Sequence, residues 1–314
     1  MRRRAVLALL PTPALAQGGA SSRPVRLVIP FTAGGSNDIV GRLLAEGMAA
    51  RLGQSVIVEN RGGAGGILGN DAVAKAAPDG QTLLLAGSGS FVISGLVAAR
   101  LPYDVERDFA AIGLLGASPN IIAADPRLGV GELVGLRGVA GPLTFGTPGA
   151  GTTAHALGAM MALALRIELE FVHYRGTAPA LQDVLGGRVQ LISNAAAPFL
   201  PFLQAGTLRG LAVAGQRRSA VAPGLSTSAE QGFPQLDSAT WYGLVAPAGT
   251  PEPVLARLHQ AMNATLGDAG IVARLAEQGC DVEVSAAPAD FAAFLSSERR
   301  RWGEVVRRAG LREG

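Results

Sequence analysis

The residues best suited to chemistry lie in a glycine-rich loop near the N-terminus. The loop follows an apolar strand pattern and precedes a helical one, and it comprises Phe31, Thr32, Ala33, Gly34, Gly35, Ser36, Asn37 and Asp38. Its glycines allow several backbone N–H groups to point to one place at the start of a helix, where the helix dipole attracts an anion. The same residues also suit plain capping by Ser36 or Asn37, with Asp38 complementing the dipole. The local sequence leaves both interpretations open.

A second glycine loop follows a later strand and leads into another apolar helix. It comprises Pro148, Gly149, Ala150, Gly151, Thr152 and Thr153. Gly149, Gly151 and Ala154 fit the G-x-G-x-x-A pattern of dinucleotide-binding folds, and Glu168 and Glu170 lie near the expected distance. An NAD(P)-dependent oxidoreductase is therefore the alternative function. Against it, Thr147-Pro148 separates the strand from the glycines, and the export signal described below leads away from dinucleotide pools. We expect no cofactor.

Other catalytic arrangements are sparse, and we expect neither enzyme activity nor a metal site. His155, His173 and His259 are widely spaced and form no metal-ligand pattern, and no serine lies in a G-x-S-x-G elbow. His155 falls in the first turn after the second loop, where it could cap, pack or contact a ligand. The single cysteine, Cys280, cannot form an internal disulfide and is expected to be a buried apolar residue.

The N-terminus has the layout of an export signal. Three arginines at 2–4 precede the apolar stretch 5–10 and the small-x-small site Ala14-Leu15-Ala16, so we predict a signal peptide over residues 1–16 and a periplasmic location. The whole chain has 27 basic and 24 acidic side chains. Because three of the arginines lie in the signal and no acid does, the mature chain is formally neutral, which argues against nucleic-acid binding.

Apolar periodicity and turn residues predict alternating strands and helices. Strands are expected at 25–29, 56–59, 82–85 and 211–214, and helical spacing at 39–52, 253–266 and 288–309. This alternation predicts an α/β fold with a mostly parallel sheet and helices on both faces. Because a strand, a glycine loop and a helix follow one another twice, we expect two similar lobes.

Several longer motifs resemble those of one protein family. In chain order they are PVRLVIPFTAGGSND at 24–38, VENRGGAGG at 58–66, AAPDG at 76–80, LPYD at 101–104, GAGTTAH at 149–155, YRGTAPA at 174–180, DVLGG at 183–187 and WYGLVAPAGTP at 241–251. Over essentially its whole mature length, the chain resembles the tripartite tricarboxylate transporter substrate-binding proteins, also called Bordetella uptake gene receptors.

The resemblance implies a periplasmic-binding-protein-like α/β fold, in which two α/β lobes joined by a hinge hold the ligand in the cleft between them. Lobe 1 would comprise residues 22–122 plus 243–314, and lobe 2 residues 123–242. The implied function is a receptor that captures a small carboxylate (a dicarboxylate, tricarboxylate, aromatic carboxylate or acidic amino acid) and delivers it to a membrane permease of the tripartite tricarboxylate type. A ligand-sensing receptor for a signalling partner would share this fold and remains an alternative. We expect a monomer.

The resemblance also implies which residues contact the ligand. The loops 31–38 and 148–153 would hold a carboxylate through backbone N–H groups, while Asp38 would face the ligand and could accept a hydrogen bond from an ammonium group. Ser88 and Asn194 match positions that line the cleft. The expected ligand-binding set is Phe31, Thr32, Ala33, Gly34, Gly35, Ser36, Asp38, Ser88, Pro148, Gly149, Ala150, Gly151, Thr152, Thr153, His155 and Asn194.

Overall fold

The structure is a computed structural model that describes residues 23–311, so the predicted signal peptide lies outside the described residues. The strands are β1 Val25–Ile29, β2 Val56–Asn60, β3 Thr82–Gly87, β4 Phe109–Ala124, β5 Leu143–Thr147, β6 Leu169–His173, β7 Leu191–Ala195, β8 Arg209–Ala214, β9 Ala239–Pro247 and β10 Asp281–Val282. The helices are α1 Ser36–Leu52, α2 Ile67–Ala74, α3 Ser94–Val97, α4 Thr153–Leu165, α5 Thr177–Leu185, α6 Leu200–Gln204, α7 Glu252–Leu266, α8 Ala269–Glu277 and α9 Pro288–Arg308.

Apolar spacing located four of these strands and three of these helices. The strands predicted at 25–29, 56–59, 82–85 and 211–214 are β1, β2, β3 and β8, and the predicted helices correspond to α1, α7 and α9. Helix α1 ends at Gly53, whose left-handed φ of 64° is a conformation that glycine adopts without strain.

The expectation of a mostly parallel sheet is wrong in one respect. Strands β1, β2 and β3 are parallel, as are β5, β6 and β7, but β4 and β9 pair antiparallel with their neighbours. The order is β2-β1-β3-β9-β4-β7-β5-β6, with β8 and β10 also on β4. The two long strands run between the parallel groups in opposite directions, which makes the sheet mixed.

Strand β4 divides the sheet into two halves. From Phe109 to Pro119 it pairs with β9, and from Asn120 to Ala124 it pairs with β7 and β8. Each half carries its own helices, so the protein has two α/β lobes connected by extended strands, as the fold-class prediction stated. The two segments that connect the lobes, one within β4 and one at the start of β9, lie close together. A hydrogen bond joins them, in which the backbone N–H of Asn120 donates to the carbonyl of Ser238 at 3.0 Å.

Each half of the sheet is buried on both faces, which explains the nearly continuous apolar strands. In β1, Leu27 packs with residues of α1 and α7, whereas Val28 packs with residues of α2 and α9. In the second half, Ile122 of β4 joins the α4 side and Ile121 the α5 side. Cys280 is buried, as predicted, and burial raises the pKa of its thiol to about 12. The thiol is therefore an inert packing group.

Candidate functional site

A polar cavity of about 20 Å³ lies where the two glycine loops meet. Seven residues of the predicted set line it: Phe31, Gly35, Ser36, Pro148, Thr152, Thr153 and Asn194. The other lining residues are Asn37, Gly87, Gly89, Ser90, Thr177 and Thr240. Among these described lining residues there is no charged side chain, so any charge selectivity must come from dipoles and hydrogen bonds.

Three helices begin at this cavity. Helices α1, α4 and α5 start at Ser36, Thr153 and Thr177, and all three first residues line the cavity. Two of the N-caps are glycines, Gly35 and Gly176, without a side-chain cap hydrogen bond. The first N–H groups of a helix have no partner inside the helix, and the helix dipole places about half a positive charge there. The cavity is therefore suited to an anion.

Polar side chains join the two sides of the cavity. The Ser36 hydroxyl donates to Asn194 Oδ1 at 3.3 Å, which connects the start of α1 to strand β7. The Asn194 amide in turn donates to the Thr177 hydroxyl. Ser90 is only 1% exposed, and its hydroxyl has no hydrogen-bond partner among the described residues. A buried hydroxyl without a partner is costly, so Ser90 is a candidate to bond a ligand in the cavity.

Asp38 does not line the cavity. One carboxylate oxygen accepts from the Gly34 N–H and from Arg42 Nε, both at 3.0 Å, and the other accepts from Asn60 Nδ2 at 3.0 Å. Burial raises the pKa of this carboxyl group, but the bonds from Arg42, Gly34 and Asn60 together outweigh burial and hold it below its usual value. The ionised carboxylate therefore stabilises the conformation of the first glycine loop from the side that faces away from the cavity.

The remaining predicted residues support the loops. Ser88 donates to the Ala239 carbonyl at 3.3 Å. The other residues of the set that do not line the cavity are Thr32, Ala33, Gly34, Gly149, Ala150, Gly151 and His155. In the second loop the backbone packs on the other lobe, since a Cβ built on Gly151 would lie 2.5 Å from Ser94 Cα. The second loop is therefore closely packed against the other lobe in this form.

Sequence reasoning missed Gly87, Gly89, Ser90, Thr177 and Thr240 as lining residues, and it placed Asn37 in the first loop without including it in the expected ligand-binding set. For Thr177 a signal was present, because it follows Gly176 at the start of a helix, as Ser36 follows Gly35. Ser90 had no such signal, because it reaches the cavity from a wide π-helical turn, Ser88–Ile93, that has no distinctive sequence pattern.

His155 packs behind the second loop. Its Nδ1 accepts the Gly151 N–H at 3.2 Å, and its ring lies edge-on to Phe171 and His173, with centroids 4.7 and 4.9 Å away. Burial, with a smaller contribution from His173, lowers the pKa of His155 to about 4. The imidazole is therefore neutral near pH 7 and holds the loop backbone.

This burial predicts an acid sensitivity of the fold. The His155 side chain binds a proton near pH 6.5 in the unfolded chain but only near pH 4 in the folded one, so stability is complete above pH 6.5 and falls as the pH drops towards 4. Between pH 7 and pH 5 the free energy of unfolding should fall by about 2 kcal/mol from this group. Urea unfolding at both pH values tests it, since His155→Gln should remove that part of the loss. A variant that retains the whole loss would contradict the assignment.

No helix among residues 23–311 is both long and apolar enough to cross a membrane. Nor do three potential metal-ligating side chains (His, Cys, Asp or Glu) cluster as a metal site in that part of the chain. The fold and the cleft define a class, the two-lobed solute-binding proteins, in which ligands bind between α/β lobes.

Within that class the chain belongs to the tripartite tricarboxylate transporter family receptors, whose family pattern matches residues 40–311. Protein BugT of Bordetella pertussis (strain Tohama I) is 34% identical over 296 residues, which cover 93% of this chain and 90% of BugT. An R. palustris protein solved with adipate is 32% identical with a TM-score of 0.88, covering 92% of this chain and 98% of that one. MatC from Rhodopseudomonas palustris, solved with bound malate, is 32% identical with a TM-score of 0.86, covering 91% and 99%.

Proposed function

We propose that this chain is a periplasmic receptor that binds a small dicarboxylate in the cleft and delivers it to a membrane transporter of the tripartite tricarboxylate type. The observation that carries the proposal is the convergence of the α1, α4 and α5 N-termini on one uncharged polar cavity. Each N-terminus contributes about half a positive charge, so three of them offset roughly three quarters of the two negative charges of a dicarboxylate. Adipate and malate, the ligands in two relatives, are both dicarboxylates.

The lining favours binding over chemistry. Its side chains are hydroxyls, amides, one phenyl ring and one proline ring, and none of the described ones is an acid, a base or a thiol. General acid–base catalysis needs an acid or a base within hydrogen-bond reach of the substrate, and a Ser or Thr hydroxyl becomes an effective nucleophile only when an adjacent base activates it. The proposed role is therefore that of a receptor and not of an enzyme.

The proposed ligand has no ammonium group. An acidic amino acid would need an acceptor for its ammonium, and Asp38 was the predicted one. All three hydrogen bonds that Asp38 accepts come from the protein itself. No acidic side chain lies among the described residues that line the cavity, so an ammonium group there would have no carboxylate partner.

Ligand capture requires the lobes to separate. A cavity of about 20 Å³ holds roughly one water molecule, which is far too little for a dicarboxylate. We propose that the ligand enters an open form, and that the lobes, residues 22–122 plus 243–314 and residues 123–242, then close on it about β4 and β9. The change of strand pairing at Asn120 supports a hinge there. Closure is favoured only by a ligand that contacts both lobes.

A thermal-shift screen of residues 17–314 tests the function. The panel is succinate, malate, adipate, citrate, aspartate, glutamate, NAD and NADP. A ligand at a hundred times its dissociation constant stabilises the folded state by about 2.7 kcal/mol, which is visible as a shift of a few degrees. We expect the largest shift with a dicarboxylate that has no ammonium group, a smaller one with aspartate and none with NAD. A shift with NAD alone would make Gly149–Ala154 a cofactor loop and overturn the proposal, as would the absence of any shift with the carboxylates.

A further inference from the structure

A series of buried polar side chains, joined by hydrogen bonds, leads from the cavity to the connection between the lobes. Thr153 Oγ1 lies 3.2 Å from Thr240 Oγ1, and Thr240 donates to Asn120 Oδ1 at 2.9 Å. Asn120 Nδ2 then donates to Ser238 Oγ at 2.8 Å. None of the four residues is more than 6% exposed, so water does not compete for these bonds.

The two ends of this series of side chains lie in different parts of the protein. Thr153 is the first residue of α4 and lines the cavity, as does Thr240. Asn120 and Ser238 lie at the point where β4 exchanges the partner β9 for β7 and β8, and Asn120 does not line the cavity. The four side chains therefore connect the ligand site with the proposed hinge.

The direction of these bonds decides what Thr153 offers a ligand. Each threonine hydroxyl has one hydrogen. Because Thr240 gives its hydrogen to Asn120, Thr153 must donate to Thr240, and only its lone pairs remain for the cavity. A half-turn of the Asn120 amide exchanges its oxygen and nitrogen and reverses every bond. Ser238 then donates to Asn120, Asn120 to Thr240 and Thr240 to Thr153, so the Thr153 hydrogen is free for the cavity.

We infer that Asn120 is a positioning residue of a reversible hydrogen-bond relay formed by Thr153, Thr240, Asn120 and Ser238. An anion in the cleft accepts a hydrogen bond and is repelled by lone pairs, so it selects the direction in which Thr153 donates. When the bond of Thr153 reverses, the bonds of Thr240, Asn120 and Ser238 reverse with it. The charge of the ligand is thereby coupled to the hydrogen bonds at the proposed hinge. The ligand part of this inference rests on the proposed function, because it requires an anion.

The substitution Asn120→Asp tests the relay, because a carboxylate there can only accept and fixes the direction in which Thr153 cannot donate to the ligand. The Kd for the dicarboxylate that gives the largest thermal shift should rise at least tenfold, about 1.4 kcal/mol. In a Thr153→Val background the same substitution should have a much smaller effect, since there is no hydroxyl left to reverse. Equal losses in both backgrounds would mean simple charge repulsion and would overturn the relay.

A second pair of variants serves if Asn120→Asp does not fold. Thr240→Ser keeps the hydroxyl of the relay, whereas Thr240→Val keeps the shape and removes the hydroxyl. We expect the Kd of Thr240→Val to be about tenfold higher than that of Thr240→Ser. Equal affinities of the two variants would contradict the relay.

A ligand-free measurement separates failure of the relay from failure of the proposed function. If the wild-type protein binds no carboxylate, the proposed function is wrong, but the relay still predicts that Thr153→Val and Thr240→Val affect the unfolding free energy non-additively. Urea unfolding of the two single variants and the double variant gives this coupling. Additive effects would show that the hydroxyls do not form a relay.

Discussion

Gly65→Ala should weaken the binding of the carboxylate ligand at least a hundredfold while the protein remains folded. Gly65 lies in the turn between β2 and α2, and a Cβ built on it would stand 2.1 Å from the Ala150 carbonyl oxygen in the second glycine loop. Ordinary contacts of this kind are 3.4–4 Å long. The two loops would therefore have to move apart by more than an ångström at this contact. An N–H···O bond of about 3.0 Å that is lengthened by that much is no longer a hydrogen bond.

The expected size follows from the bonds that a wider cleft loses. Charge-assisted hydrogen bonds contribute about 1.5–3 kcal/mol each, so losing two of them from one lobe costs at least about 3 kcal/mol, or a hundredfold in Kd. Titration calorimetry measures the affinity, and small-angle X-ray scattering should show that the variant stays more open when ligand is added.

Gly53→Ala is the matched control for Gly65→Ala. Gly53 and Gly65 have nearly the same left-handed φ, 64° and 61°, but no atom lies within 4 Å of a Cβ built on Gly53. Both variants therefore carry the same backbone penalty of about 1 kcal/mol, and only Gly65→Ala should lose affinity. Wild-type affinity in Gly65→Ala would show that the ligand-bound form does not bring these loops together.

Local sequence sufficed for the elements that have a strong apolar period. Helix α1 was predicted from apolar residues at helical spacing, and strand β1 from a short, nearly continuous apolar run that is buried at every position except Arg26. The course of β4 was not predictable in this way. Its two halves meet different neighbours, β9 and then β7 with β8, and that exchange depends on residues that lie far away in the sequence, such as Leu191 for Ala124 and Pro247 for Phe109.

The candidate site likewise contains residues that local sequence predicts and residues that it does not. The glycine loops could be found because a strand, glycines and a helix in succession form an anion site from local backbone alone. Thr240 could not be found, since it comes from β9 and meets Thr153 only after the lobes have formed. For Asp38 the position was predictable but the direction of the carboxylate was not. That direction depends on Asn60, which lies on β2 beyond the whole of α1.

Asp38→Ala should lower the free energy of unfolding by about 3 kcal/mol at pH 7. The substitution leaves the Gly34 N–H without its acceptor, removes one of the two acceptors of the Asn60 amide and removes the carboxylate partner of Arg42. The estimate is at the low end for a buried pair because Arg42 is 54% exposed and regains water. Asp38→Asn keeps one acceptor oxygen and should lose less. Urea unfolding of both variants measures the difference.

The pH dependence of this loss has a definite sign. The folded-state pKa of Asp38 lies below 3.8, so its contribution is complete above pH 3.8 and disappears as the pH falls through the lower folded value. Wild-type and Asp38→Ala proteins should therefore differ fully at pH 7 and converge in strong acid. If the difference persists unchanged at acid pH, the ionised carboxylate is not what stabilises the loop.

The same variant distinguishes a supporting role from ligand recognition. A carboxylate that stabilises the loop without contacting the ligand affects all ligands alike. Asp38→Ala should therefore lower the affinity for the dicarboxylate and for its 2-amino derivative by similar factors, at least about tenfold. Each lost charge-assisted bond is worth about that much. Titration calorimetry with both ligands gives the two ratios. A far greater loss for the amino derivative would mean that Asp38 turns into the cleft and binds the ammonium group, and that the ligand class must include amino acids.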